Sequence, residues 1–418
     1  MSLDWLVFWI GAYGSRNKRM PLIMKLVIIA LVVALIVPVS FLLYRASTLR
    51  MGDDIPERRP PRGTNTNLTV IEFDDRLFTI WSSSDRLIEP GIVNRTGSRF
   101  IAARTLDGAG LTGIVRISDM ENFTQADRPG AVVFQDSLYV FWSEGKNISY
   151  ARYRSGSWDP PARLNASIGY PVCYVEPAVF NNTIFLMVKM ENAPRGDPLG
   201  YLTFDGANAS ALEMVQENIQ IREPLEATVF NGSLLVFWGD FALPGMLRYN
   251  GTGWNTLLTP WKNPFPEAST YQHPSAAVYG GKLHVAWVRI TNGSDVRELV
   301  ITTYDGTGWT VPEHLAPPET RWHWVGDVSL AVLGTGLYVC WVMYDVTDQP
   351  AVGYLLWSEH RPAGWTSESN VGRPLHSGYF GPMILLSFQD QLFLFSSFDY
   401  RRFDGLSWTE TFPILPMP

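Results

Sequence analysis

The chain has 418 residues, of which 46% are hydrophobic and 17% are charged, and its formal net charge is −7. An acidic balance argues against binding to nucleic acid or to an anionic membrane surface. Only Cys173 and Cys340 are present, without Cys-x-x-Cys or zinc spacing and without a phosphate-binding glycine loop. A disulfide scaffold is therefore excluded and no cofactor is predicted.

The N-terminal part predicts a membrane anchor. Residues 26–44 form a run of nineteen without charge, long enough to span a bilayer, and basic residues are more frequent before it than after it. We expect a cytoplasmic segment over 1–19, a transmembrane signal-anchor helix over 20–45 and a proline-containing extracellular linker over 46–65. A cleaved signal peptide is the alternative.

Residues 66–418 contain a repeat of about fifty residues. Each copy reads as two apolar strands joined by a tight turn such as Asn231-Gly232. The seven copies span residues 70–81, 131–142, 178–188, 227–238, 276–287, 331–341 and 386–396.

A second hairpin follows each copy. Its clear examples run over 153–158, 249–254, 304–309 and 403–408, with an Asp or Asn and a glycine in most of these turns. Two hairpins make a four-stranded antiparallel sheet, and seven such sheets can cover each other's faces around an axis. The sequence therefore predicts an all-β, seven-bladed β-propeller, because a β-sandwich would not repeat at a fixed spacing.

The second hairpins resemble the Asp-box turns of sialidase-like propellers. Thr303, Asp305, Gly308 and Trp309 occupy comparable places, one residue closer together than in that motif. The resemblance covers residues 65–418 and implies a blade architecture. It does not imply sialidase activity, since only Arg128 and Arg289 of the three arginines that such a site needs fall at suitable positions.

Charged residues flank the two inner strands of most blades and predict a ring at one mouth of the channel. Before the first strands and after the second strands lie Asp127, Arg128, Glu144, Glu176, Lys189, Glu226, Asp240, His273, Arg289, Asp327 and Asp345. These groups could pair with one another in a wet channel, could hold a Ca²⁺ ion, or could bind a saccharide together with Trp322 and Trp324.

Two catalytic arrangements are conceivable at this mouth. Glu176 and Glu226 come from adjacent blades and could form the carboxylate pair of a glycosidase. Tyr271 and His273 could serve a lyase. The main expectation is nevertheless a non-catalytic surface binding or assembly module, with a carbohydrate-active enzyme or an accessory subunit of a larger membrane complex as alternatives.

Ten of the eighteen asparagines lie in Asn-x-Ser/Thr sequons, an enrichment that predicts an N-glycosylated exterior protein. We expect a single-pass protein of the cell membrane with an extracellular propeller, similar in kind to archaeal surface glycoproteins. The acceptors are Asn67, Asn94, Asn122, Asn147, Asn165, Asn181, Asn208, Asn231, Asn250 and Asn292.

No sequon follows Asn292, although two blades remain. Because a glycan blocks close packing, residues 310–418 are the predicted contact for a protein partner or a sister subunit. Trp322, Trp324, Trp357 and Trp365 lie in this stretch and would suit an interface. The repeated tryptophans of the hairpins are expected instead to pack between blades; they are Trp81, Trp142, Trp238, Trp287 and Trp341.

Overall fold

The computed structural model describes most of the chain from residue 68 onward, all of it within the unit Pro61–Pro418. The described ranges are 68–84, 99–108, 110–120, 129–191, 197–216, 221, 224–239, 244–256, 269–291, 297–316, 323–345, 352–372, 382–396 and 399–414. Within these ranges no helix is long and apolar enough to cross a bilayer. The predicted anchor over 20–45 and the linker over 46–65 lie outside the described residues.

Seven antiparallel sheets follow one another along the chain, one for each predicted repeat. Blade 1 contains β1 (Leu68–Phe73), β2 (Arg76–Ser84), β3 (Arg99–Asp107), β4 (Gly110–Leu111) and β5 (Val115–Met120). Blade 2 contains β6 (Gly130–Phe134), β7 (Ser137–Glu144), β8 (Asn147–Arg154), β9 (Ser157–Trp158) and β10 (Ala162–Arg163). Blade 3 contains β11 (Val172–Phe180), β12 (Thr183–Met190), β13 (Leu199–Phe204) and β14 (Glu213–Gln216).

Blades 4 to 7 continue the pattern. Blade 4 contains β15 (Glu226–Phe230), β16 (Ser233–Trp238), β17 (Gly245–Tyr249) and β18 (Trp254–Thr256), and blade 5 contains β19 (Ser269–Tyr279), β20 (Lys282–Thr291), β21 (Arg297–Tyr304) and β22 (Glu313–Ala316). Blade 6 contains β23 (His323–Leu333), β24 (Gly336–Asp345), β25 (Val352–Arg361), β26 (Gly364–Trp365) and β27 (Ser369–Gly372). Blade 7 contains β28 (Ile384–Phe388), β29 (Gln391–Ser396), β30 (Asp399–Phe403) and β31 (Phe412–Pro413). The seven-bladed, all-β propeller is thereby confirmed.

The inner hairpins use two-residue turns with a left-handed backbone, as their sequences predict. Asn231 and Gly232 have φ values of 47° and 66°, and Gly280 and Gly281 have 58° and 71°. Such turns match the twist of antiparallel strands and suit Asn, Asp and Gly. The pairing Phe230↔Ser233 closes directly on the turn, so the turn sets the register of the whole blade.

The outer hairpins are closed by a carboxylate or amide that caps its own turn. The Oδ1 atom of Asp305 accepts hydrogen bonds from the backbone N–H groups of Thr307 and Gly308, both at 2.8 Å. Asp404 accepts from Leu406 and Ser407 at 2.9 and 2.8 Å in the same way. The Asp-box-like residues therefore have a structural role, because they satisfy backbone donors in an Asx turn.

The core lies between neighbouring blades, where apolar residues of adjoining sheets meet. The β7 strand is buried along its whole length. In one cluster Phe237 of blade 4 packs against Trp287 of blade 5, with ring centroids 6.1 Å apart. All five repeated tryptophans are at most 3% exposed, in agreement with the prediction that they pack between blades.

Ring closure joins blades 1 and 7 by side-chain packing. Each terminal sheet is built from consecutive strands of its own repeat, so no strand is exchanged between them. One buried cluster contains Leu68 and Trp81 of blade 1 together with Phe395 and Tyr400 of blade 7. The ring therefore closes without a swapped strand.

Candidate functional site

The innermost strands of all seven blades surround a cavity of about 230 Å³. It is therefore the axial channel of the propeller. Its charged lining residues are Glu176, Glu226, His273 and Asp327, one from each of blades 3 to 6. These are the residues that the sequence placed before the first strands, and the structure brings them to one cavity.

His273 and Asp327 form a pair across the gap between blades 5 and 6. His273 Nδ1 lies 3.1 Å from Asp327 Oδ1, and the two side chains are 28% and 14% exposed. The Asp327 carboxylate also accepts the backbone N–H of Val328 at 2.9 Å and, from blade 7, that of Met383 at 2.6 Å. Asp327 therefore connects three blades.

Both members of this pair lie in β-bulges. The register of β19 against β20 shifts between Gln272 and Ser275, and that of β23 against β24 shifts between Val325 and Val328. His273 has a φ of 50°, an uncommon backbone conformation for a residue with a Cβ atom. Bulges re-aim side chains and are frequent beside active sites.

Glu176 and Glu226 bring two carboxylates from neighbouring blades to the same cavity. The hydroxyl of Tyr174 donates to Glu176 Oε2 at 3.1 Å and lies 3.5 Å from the carbonyl oxygen of Leu225. Tyr174 is 8% exposed and so holds Glu176 from within the core. No sequence motif marks Tyr174, although alternation places it on the same strand face as Glu176.

Three charged residues near the ends of the second strands have described side chains, and none of them is among the described residues that line this cavity; they are Glu144, Lys189 and Arg289. Glu144 accepts a hydrogen bond from Trp142 Nε1 at 2.9 Å and pairs with Arg163 at 3.3 Å. Lys189 lies 3.8 Å from Asp197. These side chains pair within their own blades. The charged residues that were expected to form one ring therefore fall into two sets, one lining the cavity and one paired within the blades.

Arg289 belongs to the same outer set. Its Nε atom lies 3.4 Å from Glu298 Oε2, which also lies 3.1 Å from Nδ1 of His314. Arg289 is 9% exposed, and its partner is on β21 of the same blade. In the described structure this arginine therefore forms its ion pair within blade 5 and is not part of an arginine cluster at the axis.

Tyr271 does not join His273 in the axial cavity. It is 2% exposed and belongs to the cluster of Phe237 and Trp287, and burial raises the pKa of its hydroxyl to about 12. In a regular strand residues two apart share a face, but the bulge after Gln272 breaks that alternation. The predicted Tyr271–His273 combination is therefore not assembled.

Asp127, Arg128, Asp240 and Trp322 lie outside the described residues. For Asp345 and Trp324 only the strand positions are described, opposite His323 and Tyr344 respectively. Across the described ranges, no three His, Cys, Asp or Glu side chains are grouped so that they could hold a metal ion, so the suggested Ca²⁺ site has no described ligand set.

The described sequons lie on exposed turns and at strand ends. Asn181 and Asn231 are in inner hairpin turns, while Asn208 and Asn250 are in outer ones. Asn165 is exposed and Asn147 begins β8. The remaining acceptors fall outside the described residues, and glycosylation stays a prediction; they are Asn67, Asn94, Asn122 and Asn292.

Two of the four tryptophans of the interface predicted in blades 6 and 7 have described ring contacts. Trp357 packs against Phe403 with centroids 4.9 Å apart, and Trp365 lies 5.1 Å from the ring of His360. These two tryptophans therefore contribute to packing within the propeller. The contact with a partner or a sister subunit over 310–418 stays a prediction with less aromatic surface to support it.

No protein family profile and no curated protein sequence matches this chain. Solved structures do match its fold. An ulvan lyase from a polysaccharide lyase family, bound to -[GlcA(1-4)Rha3S]-, has a TM-score of 0.54 and 10% identity over 84% of this chain and 94% of its own. The polysaccharide lyase Uly1 has a TM-score of 0.51 and 11% identity over 86% and 92%.

A more distant likeness is to Trypanosoma rangeli sialidase in complex with sialic acid. Its TM-score is 0.41, with 11% identity over 68% of this chain and 52% of the sialidase. The two lyases are carbohydrate-active enzymes, and at 10% and 11% identity their likeness to this chain shows the fold alone.

Proposed function

We propose that the propeller is a carbohydrate-active enzyme that cleaves glycosidic bonds at its axial cavity. The observation that carries this proposal is the convergence of Glu176, Glu226, His273 and Asp327 from four consecutive blades. The fold shared with two polysaccharide lyases supports the substrate class, and the cavity is where the charged side chains meet.

Two carboxylates are the minimum that glycoside hydrolysis requires. One protonates the oxygen of the scissile bond, while the other activates water or attacks the anomeric carbon. The hydroxyl of Tyr174 donates to Glu176, which suits the ionised form that a base or nucleophile needs. Glu226, on the adjacent blade, is then the acid.

Charge favours an uncharged or amino-bearing glycan as the substrate. The described lining contains three carboxylates and one imidazole, and neither lysine nor arginine occurs among these lining residues. A uronate or sialate would bring a further negative charge toward them, which costs free energy in a partly enclosed cavity. Hydrolysis of such a glycan therefore suits the described residues better than elimination from a uronate.

Elimination is the second candidate, because His273 is held by a carboxylate and can act as a base. The two reactions give different products. Hydrolysis yields saturated chain ends, whereas elimination yields an unsaturated sugar that absorbs ultraviolet light.

The test incubates the full chain with cellohexaose, xylohexaose, a chitosan hexamer, oligogalacturonate and sialyllactose. We expect new reducing ends from a neutral or amino oligosaccharide and a loss of turnover of about 100-fold or more in Glu176→Gln and in Glu226→Gln. Glu313→Gln, at an exposed position on β22, is the matched control and should keep full activity.

Each result separates the alternatives. If the products are unsaturated and are no longer formed by His273→Ala, the reaction is elimination and not hydrolysis. If an oligosaccharide binds without any turnover, the cavity is a non-catalytic binding site. If turnover is unaffected by either glutamate substitution, the catalytic residues lie outside this cavity.

A further inference from the structure

We propose that Asp327 is a positioning residue that fixes His273 in one tautomer, so that the imidazole presents a hydrogen-bond acceptor to the glycan. This inference rests on the proposed function for the identity of the ligand. It adds a binding role for His273 that is distinct from the cleavage chemistry of Glu176 and Glu226.

Asp327 is itself held rigidly. The backbone N–H of Val328 reaches its Oδ1 atom and that of Met383 reaches its Oδ2 atom. The first donor belongs to blade 6 and the second to blade 7, so the carboxylate is fixed with respect to both blades. A carboxylate with both oxygens anchored can orient a neighbour without the entropic cost of ordering a mobile side chain.

His273 is placed with equal strictness. Its φ of 50° and its position in the β19 bulge hold the ring at a point that a regular strand would not reach. Residues kept in such conformations cluster at functional sites, because the surrounding structure must maintain them. The ring lies against Asp327 on one side and lines the cavity.

The tautomer follows from the chemistry of the pair. An ionised carboxylate only accepts hydrogen bonds, so Nδ1 of His273 must carry the proton that faces Oδ1 of Asp327. The acceptor of the neutral ring is then Nε2. A sugar hydroxyl can donate to Nε2, and its oxygen can accept from a second sugar or solvent hydroxyl, so a polyhydroxylated ligand fits this arrangement.

Nitrogen-15 NMR of the full chain measures this tautomer directly, because protonated and unprotonated ring nitrogens differ widely in chemical shift. The chain has six histidines, and His273→Gln assigns the signal. In the wild-type protein near neutral pH we expect a proton on Nδ1 of His273. A proton on Nε2 would overturn the proposal without any variant.

Asp327→Ala tests the cause. It removes both carboxylate oxygens, so Nδ1 of His273 loses the acceptor that holds its proton, and we expect the ring proton to move to Nε2. Tyr279→Phe is the matched control. The hydroxyl of Tyr279 on β19 donates to the carbonyl oxygen of Thr335 in blade 6 at 2.6 Å, so its loss removes a contact between blades 5 and 6 but leaves the pair intact. Tyr279 is not among the described residues that line the cavity.

Kinetics on the panel oligosaccharide that the wild-type protein cleaves fastest supply the second readout. We expect Asp327→Ala to raise KM about tenfold with kcat within about twofold, and Tyr279→Phe to change neither, since a lost ligand contact affects binding. An unchanged tautomer in Asp327→Ala would overturn the inference. A fixed tautomer in a protein that cleaves no oligosaccharide would overturn the proposed function alone.

Discussion

At the scale of single residues, close approach decides which side chain a position accepts. Gly245 on β17 pairs with Trp238 on β16, and the indole ring lies over the glycine. A Cβ atom at Gly245 would overlap that ring. The tryptophan covers a strand residue without a side chain, an arrangement that compensates for glycine in a sheet.

Gly245→Ala should therefore destabilise the fold by about 1–3 kcal/mol, the usual cost of inserting an atom into a filled space. Chemical denaturation monitored by tryptophan fluorescence measures this change. Gly253→Ala is the control, because a Cβ atom there would meet nothing within 4 Å and the stability should hardly change. Equal effects of the two substitutions would contradict the packing argument.

At the scale of elements, each blade interface has its own chemistry, and the interface of blades 5 and 6 contains two histidines. The rings of His284 and His360 are 5.7 Å apart, and Thr303 Oγ1 lies 3.1 Å from His284 Nδ1. Burial, followed by the charge of His360, lowers the pKa of His284 to about 4 from its ordinary 6.5. The folded interface therefore favours the neutral ring.

The sign of the resulting pH dependence is definite. Between pH 6.5 and 4 the unfolded state binds a proton at His284 that the folded state does not, so stability is fully present above this range and is lost as the pH falls through it. We expect a loss on the order of 1–2 kcal/mol, with allowance for solvent screening. His284→Phe should flatten this part of a melting-temperature curve; an unchanged slope would assign the effect to other groups.

At the scale of the whole molecule, ring closure depends on the contact between the first and last blades. Phe395 is fully buried there and stacks on Tyr400 with centroids 5.5 Å apart, in the cluster that contains Leu68 and Leu77 of blade 1. Arg104 of blade 1 also donates to the carbonyl oxygen of Ile414 in blade 7. Side-chain packing and this hydrogen bond thus hold blades 1 and 7 together without an exchanged strand.

Phe395→Ala should cost about 3–5 kcal/mol and should loosen the terminal blades before the others. Hydrogen exchange resolved by peptide measures both effects, and we expect faster exchange in β1–β3 and β28–β30. Phe237→Ala removes an equally buried ring between blades 4 and 5 and serves as the control. Uniform exchange along the chain in Phe395→Ala would indicate that the ring opens as one unit.

The sequence by itself determined the blade count and the two hairpins of each blade. Those features depend on local signals: alternating apolar residues, turns such as Asn231-Gly232, and side chains such as Asp305 that cap the turn a few residues away. Local signals act within one repeat and can be read without knowing where the other repeats lie. The tryptophans that pack between blades were predictable for the same reason, since they recur at one position.

Only the tertiary structure decided the site. It separated Glu176, Glu226, His273 and Asp327, which line the axis, from Glu144, Lys189 and Arg289, which pair within their own blades. It also placed Tyr271 in the core, because a bulge shifts the alternation after Gln272. Contacts between residues far apart in the chain, such as Asp327 with Met383, decide the direction of a side chain near a bulge and its partner on another blade. The periodicity of the sequence does not predict such contacts.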